Sequence, residues 1–354
     1  MQVREKQNII KTKVEIPSQE NSNSPFRFLK NFNVNKSLSA WIKLAISLLI
    51  CYLIFDKLLN KAELINTYQI VLNSFAEKST WTLYILIFAL LPINWGLEAK
   101  KWQLLALKIE PIKLSESYKA VLSGISFNIL TPLGLGDAIG RTMFLKSNKR
   151  FEALGSIILN RLSQLLPTLI FGLFSIVFII RNYDIDLAIL PITAIGLFLG
   201  LIMFFVFKNK ISTFIKNKIQ SNLKFLTASF EYYSSKELLQ INLLSILRYA
   251  VFTTQFLIAF YIFKIDLPEH ILLVGISWIF LIKTIAPSLS IFTDLAIREA
   301  SALFYFGIWN VSNAEVTAVT LLIWVVNIII PAIIGVLFIP NLKFDSQEIT
   351  NKSL

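Results

Sequence analysis

Charge is scarce in this chain, and so are the residues that most often carry chemistry. Only 16% of its 354 residues are Asp, Glu, Lys or Arg, while 55% are hydrophobic and the mean hydropathy is +0.65. A soluble domain carries about a quarter charged residues, so this balance excludes one and implies a polytopic membrane protein. One cysteine, Cys51, and one histidine, His270, exclude an intrachain disulfide, a Cys/His zinc cluster and a metal-binding histidine pair. Cys51 lies in an apolar run and reads as packing. His270, beside Pro268 and Glu269, reads as a solvated loop residue. No P-loop pattern occurs, so no ATP engine, and indeed no cofactor, metal or catalytic group, is expected.

What the chain does have is basic charge placed between apolar runs. A net charge of +12 would point to nucleic acid in a soluble domain. Here Lys and Arg fall mostly in short connections, which the positive-inside rule explains without a nucleic-acid partner. Residues 1–37 are polar and lack an apolar stretch next to a small-residue cleavage site, so they read as a disordered cytoplasmic tail and not a signal peptide. An integral membrane domain is expected over 38–340 and a second cytoplasmic tail over 341–354.

Six full spans are predicted: Ala40–Phe55, Trp81–Gly96, Gly155–Ile180, Leu187–Phe207, Leu239–Phe263 and Val316–Ile339. Glu98, Lys100, Lys101 and Trp102 follow the second of these and read as a cytoplasmic interface. The connection with Lys208, Lys210, Lys216, Lys218 and Lys224 reads as cytoplasmic too, with a short external loop around Asp184. Both termini then fall inside, in a multi-pass protein of the inner membrane.

Two segments do not fit that count. Ser115–Lys146 has an apolar stretch too short to cross, with basic charge on both flanks, and Ile271–Ile308 is interrupted near Pro287. Each is predicted to enter, break and return, because irregular backbone survives at depth only where protein or a cavity covers it. Ordinary short helices joined at the surface are the alternative for the first. The fold class expected is therefore all-α, with about six spans and two re-entrant broken hairpins. The hairpins open from opposite sides, as in an inverted repeat. Gly124-Ile125-Ser126-Phe127 and Gly275-Ile276-Ser277-Trp278 precede the two breaks and support the repeat.

The breaks hold the candidate site. Pro132, Gly134 and Gly136 mark the first and Pro287 the second, and each is followed by a carboxylate four residues before an arginine: Asp137 with Arg141, Asp294 with Arg298. Thr293 reads as the N-cap of the second half-helix. Charge at membrane depth costs about 2.5–3.5 kcal/mol per residue, so such groups face a cavity or a partner. Pairing within the helix would by itself make each arginine tolerable. Arg161, Arg248 and Lys283 add positive charge at depth, against Asp137, Asp294 and Glu299. That surplus, with two helix N-termini, suits a phosphate headgroup bound by Asp137, Arg141, Arg161, Arg248, Lys283, Asp294, Arg298 and Glu299.

TPLGLGDAIGRTMFL (Thr131–Leu145) and APSLSIFTDLAIREASALFYFG (Ala286–Gly307) resemble the two motifs of the lysylphosphatidylglycerol synthase transmembrane-region, or flippase-like, family. Lys101-Trp102 and Asn160-Arg161-Leu162 are similar to further family positions, although relatives commonly have Glu-Arg at the latter. The resemblance covers about residues 38–340 and maps motif positions onto Pro132, Gly136, Asp137, Arg141, Arg161, Pro287, Arg298 and Glu299. It implies a bacterial inner-membrane protein that moves a phospholipid or polyprenyl-phosphate between leaflets, without the soluble aminoacyl-transferase domain. Gly134 stands where many relatives place an arginine. A membrane-embedded glycosyl- or phosphotransferase, or an accessory subunit, is the alternative, and a homodimer is compatible with either.

Overall fold

The computed structural model describes residues 61–131, 134–145, 150–183, 191–192, 194–203, 205, 232–286 and 290–339. All of them fall within one compact unit, Leu44–Leu354. The expected first span Ala40–Phe55, Cys51, the loop at Asp184, the basic connection 208–224, both tails, Pro132 and Pro287 lie outside the described residues.

Among the described residues the regular structure is helical: α1 (Lys61–Ala76), α2 (Trp81–Ala106), α3 (Leu114–Leu130), α4 (Leu135–Met143) and α5 (Arg150–Asn182). Then come α6 (Ala194–Met203), α7 (Ser235–Ile262), α8 (Glu269–Ile285), α9 (Ile291–Gly307), α10 (Asn313–Trp324) and α11 (Ile330–Val336). A π-helical turn, Val325–Ile329, joins the last two into one span. Pro331 follows that turn and has no N–H to give an α-helical ladder, a common cause of such a widening. Among the described residues four helices are long and apolar enough to cross a membrane: Lys78–Ala106, Ala153–Asn182, Ser235–Ile262 and Asn313–Val336. The described part of the expected Leu187–Phe207 span is the shorter Ala194–Met203 helix.

Two findings depart from expectation. α1 carries no long apolar run and was not foreseen; it docks on α10 with Thr67 and Ser74 buried beside the half-buried Ile70 and Val71. Thr67 donates to the Ala314 carbonyl and Ser74 bonds the Tyr84 hydroxyl, while Ile65, Leu72 and Phe75 face outward. The second span does not stop at Gly96. α2 continues ten residues to Ala106, and within the expected cluster Glu98, Lys101 and Trp102 are buried in the protein while Lys100 is exposed.

The breaks fold as two hairpins. α3 and α8 are 17 residues each, about 25 Å of helix, which falls short of a hydrocarbon core of about 30 Å. α3 turns back through α4, and α8 through α9. Their packing is reciprocal: α3 lies against α11, α8 lies against α5, and α2 lies against α7. That is the pattern expected if α2–α5 and α7–α11 are two copies of one unit exchanging hairpins across a two-fold axis. Outside the spans, Glu77 accepts a 2.6 Å ion pair from Lys264, which together with Ser79 holds its carboxyl below the usual range. Both partners are well exposed, so the link contributes little.

Candidate functional site

Each hairpin solves the same backbone problem differently. The first four N–H groups of a helix lack intrahelical partners, and at depth water does not supply them. α4 starts at Gly134, whose φ of 70° is in the left-handed region that glycine tolerates and which has no side chain to cap with. Asn128 on the opposite arm supplies the cap: its Oδ1 accepts from the Asp137 N–H at 2.7 Å. α9 caps locally, with the Ser290 hydroxyl accepting from the Thr293 N–H at 3.1 Å. The expected cap at Thr293 is thus three residues late, because Ser290 takes the extended backbone and the acceptor role first.

In the first hairpin the Asp–Arg pair is drawn into a buried knot. Arg141 Nε donates to Asp137 Oδ1 at 2.6 Å, and its Nη2 donates to Glu98 Oε1 at 2.8 Å. Glu98 is the hub: Asn160 donates to Oε1 at 2.7 Å, and Oε2 lies 3.1 Å from Lys101 Nζ and 3.5 Å from Arg248 Nη1. Lys101 further donates to Gln164 and to Ser245. The Arg141 guanidinium lies over the Trp102 ring and that of Arg248 over Trp95. Arg161 is half exposed, donates to the Gly134 carbonyl at 2.6 Å and stands 3.6 Å from Asp137 Oδ2.

The second hairpin is open. Asp294 takes Lys283 at 3.0 Å and Arg298 at 3.1 Å, and among the described residues no second carboxylate joins them. A cleft of about 790 Å³, counted with its open mouth, lies between the two breaks. Thr131 and Gly134 of the first break line it, as do Ser290 and Ile291 of the second. Its charged lining is Arg248, Lys283, Asp294 and Arg298. Trp95 Nε1, Arg248 Nε, and Arg298 Nε and Nη1 are buried donors with no hydrogen-bond acceptor. A second cleft of about 640 Å³ runs between α5, α7 and α8, and shares Arg248, Phe252 and Lys283 with the first. Those three side chains therefore form the wall between two cavities.

The expected site residues divide. Arg248, Lys283, Asp294, Arg298 and Gly134 are brought together at the cleft. Arg161 stands behind Gly134. Asp137 and Arg141 are held in the Glu98 knot and do not line the cleft. Gly136 packs against the Phe127–Asn128 backbone, where a Cβ would come within 2.2 Å. Glu299 turns away from the cations to Thr317 and Thr320. Glu98, Lys101, Asn128, Trp95 and the π-turn residue Asn327 were missed. In the described residues, six cations share three carboxylates across the two clusters, with Glu299 separate. Among them no group of three or more His, Cys, Asp or Glu could hold a metal ion.

A family model described as "Lysylphosphatidylglycerol synthase TM region" matches residues 40–335. No curated protein and no solved structure matches the chain.

Proposed function

The chain belongs to the lysylphosphatidylglycerol synthase TM region family, and on that premise we propose that this multi-pass membrane protein moves an anionic, phosphate-bearing lipid between leaflets. Its bacterial inner-membrane location, with both termini cytoplasmic, is part of the same proposal. The observation that carries the reading is the cleft, in which Arg248, Lys283 and Arg298 front one space whose lining holds a single carboxylate, Asp294, while Glu98, which reaches Arg248 from behind, is shared with Lys101 and Arg141. Buried charge without compensation is costly, and an anionic guest would supply the balance. Guanidinium groups with donors unspent suit phosphate oxygens, and the Lys283 ammonium adds a further positive charge. The mouth of the cleft would leave acyl chains in the bilayer while the headgroup is held.

Two clefts with a shared wall also suit alternating access. A headgroup bound by Arg248 and Lys283 on one side of Phe252 would be passed to the same two cations on the other side, with no loss of charge compensation during the step. The ring of Phe252, which the Arg298 guanidinium overlies, would be the gate.

Proteoliposomes carrying labelled phosphatidylglycerol in the inner leaflet test this reading. The wild type is expected to expose the label to an outside quencher faster than empty vesicles, with labelled phosphatidylcholine left in place. Lys283→Ala and Arg298→Ala should each slow it about tenfold or more, the loss of one charge-assisted contact. Lys283 is one-third exposed, so its variant should fold even if that at Arg298 does not. Wild-type rates in both variants, or a new covalent lipid product, would sink the transporter reading.

A further inference from the structure

Whereas Asp137 holds Arg141 and Asp294 holds Lys283 and Arg298, Glu299 is the one acid of the candidate set that pairs with no cation among the described residues. It is 5% exposed, one residue behind Arg298 in the cleft wall, and its contacts are hydroxyls: Thr317 donates to Oε1 at 2.5 Å, and Oε2 lies against the Thr320 hydroxyl. No cation reaches it among the described residues. On its own helix, Arg298 pairs with Asp294. From α8, Lys283 is held by Asp294 as well, Glu269 accepts from Tyr261, and His270 lies against Phe178. From α10, the acid is Glu315, in the first turn of that helix and two residues before Thr317. An ionised carboxylate in such surroundings carries a heavy desolvation cost that two hydroxyls offset only in part.

Proton accounting shows how the site avoids that cost. The Thr320 hydroxyl has one hydrogen and two neighbours that would take it, Glu299 Oε2 and the Thr317 carbonyl at 3.0 Å. When Glu299 is ionised, Thr320 gives its hydrogen to Oε2. When Glu299 is neutral, the carboxyl O–H donates to the Thr320 oxygen, and the Thr320 hydrogen turns to the Thr317 carbonyl. Rotation of one hydroxyl thus serves both states, with every hydrogen placed in each.

We propose that Glu299, with Thr317 and Thr320, is a proton-binding site, and that the proton is a co-substrate of lipid movement. The second clause rests on the transporter reading above; the first does not. The carboxyl ties α9 to α10. Taking up or releasing a proton changes that tie at the base of the hairpin that presents Asp294 and Arg298 to the cleft. The first hairpin has no equivalent acid: Thr142, one residue past Arg141, bonds backward to the Ala138 carbonyl of its own helix.

Infrared spectra of the purified wild type in nanodiscs at neutral pH should show a protonated-carboxyl C=O band that Glu299→Gln lacks. Thr320→Val should shift the band, because it removes the acceptor of the carboxyl O–H. Identical spectra in the wild type and Glu299→Gln would overturn the proton site. In the phosphatidylglycerol assay an imposed pH gradient should alter the wild-type rate, and the ratio of rates with and without the gradient should fall to one in Glu299→Gln. A wild type indifferent to the gradient would overturn the coupling. Absence of lipid movement under every condition would instead remove the transporter reading and the coupling with it, while the infrared band still decides whether the proton binds.

Discussion

The two hairpins carry one device, a carboxylate four residues before an arginine near the start of a half-helix, and the fold puts it to two uses. In the first, Glu98 reaches across from α2, so that Arg141 is held between two acids. In the second, no such acid arrives among the described residues, and Lys283 adds a further cation. The pair at Asp137 is therefore a joint, and under the proposed function the pair at Asp294 is a binding wall. The chemistry of a motif is set here by what a neighbouring helix brings to it.

Removing the Glu98 carboxylate should separate the two most sharply. Glu98→Gln leaves the buried Lys101 and the partly buried Arg248 without an acid and Arg141 with Asp137 alone, so the loss should be about 3–5 kcal/mol, the usual cost of breaking a buried charge network. Asp294→Asn should cost less, since Lys283 is one-third exposed and the cleft can admit water. Thermal unfolding in detergent compares them directly. Equal destabilisation would mean that the second pair is a joint too.

Glycine packing offers a smaller contrast. α3 and α4 touch backbone to backbone at Gly140, where a Cβ would stand 2.3 Å from the Gly124 nitrogen. At Gly275 in the second hairpin, a Cβ would meet the Phe306 and Tyr305 rings at 2.5–2.6 Å. A backbone cannot yield without moving a helix, whereas rings can pivot. Gly140→Ala should therefore cost about 1–3 kcal/mol and Gly275→Ala visibly less, by the same unfolding measurement. The reverse order would show the aromatic cluster to be the more rigid partner.

The sequence made some of this legible and hid the rest for physical reasons. Breaks in apolar runs and i, i+4 charge pairs are local patterns, and the hairpins at α3–α4 and α8–α9 follow from them. Glu98 was misread because it stands beside Lys100, Lys101 and Trp102 just after an apolar run, where snorkelling is the ordinary expectation. Its burial depends on Arg141, Asn160 and Arg248 arriving from three other helices, and nothing local announces that. Asn128 was missed for the same reason, since its acceptor serves an amide nine residues on. α1 escaped because both its faces are mixed: Thr67 and Ser74 lie inward with Ile70 and Val71, and Ile65, Leu72 and Phe75 lie outward with Asn66, Gln69 and Asn73, so no apolar stripe marks it.

The caps give the smallest and most local test. Both Asn128→Ala and Ser290→Ala remove a side-chain acceptor from the start of a half-helix, and each should cost about 1 kcal/mol. Their reach should differ. Ser290 caps its own helix, so its loss frays only the first turn of α9. Asn128 caps from the opposite arm, and its loss also unties α3 from α4, where the remaining hold is close glycine contact. Hydrogen exchange should rise across the facing ends of α3 and α4 in Asn128→Ala, but stay confined to about residues 291–294 in Ser290→Ala. If both variants fray a single turn alone, the first hairpin is held by the Glu98 knot without help from its cap, and the distinction between a joint and a wall rests wholly on charge.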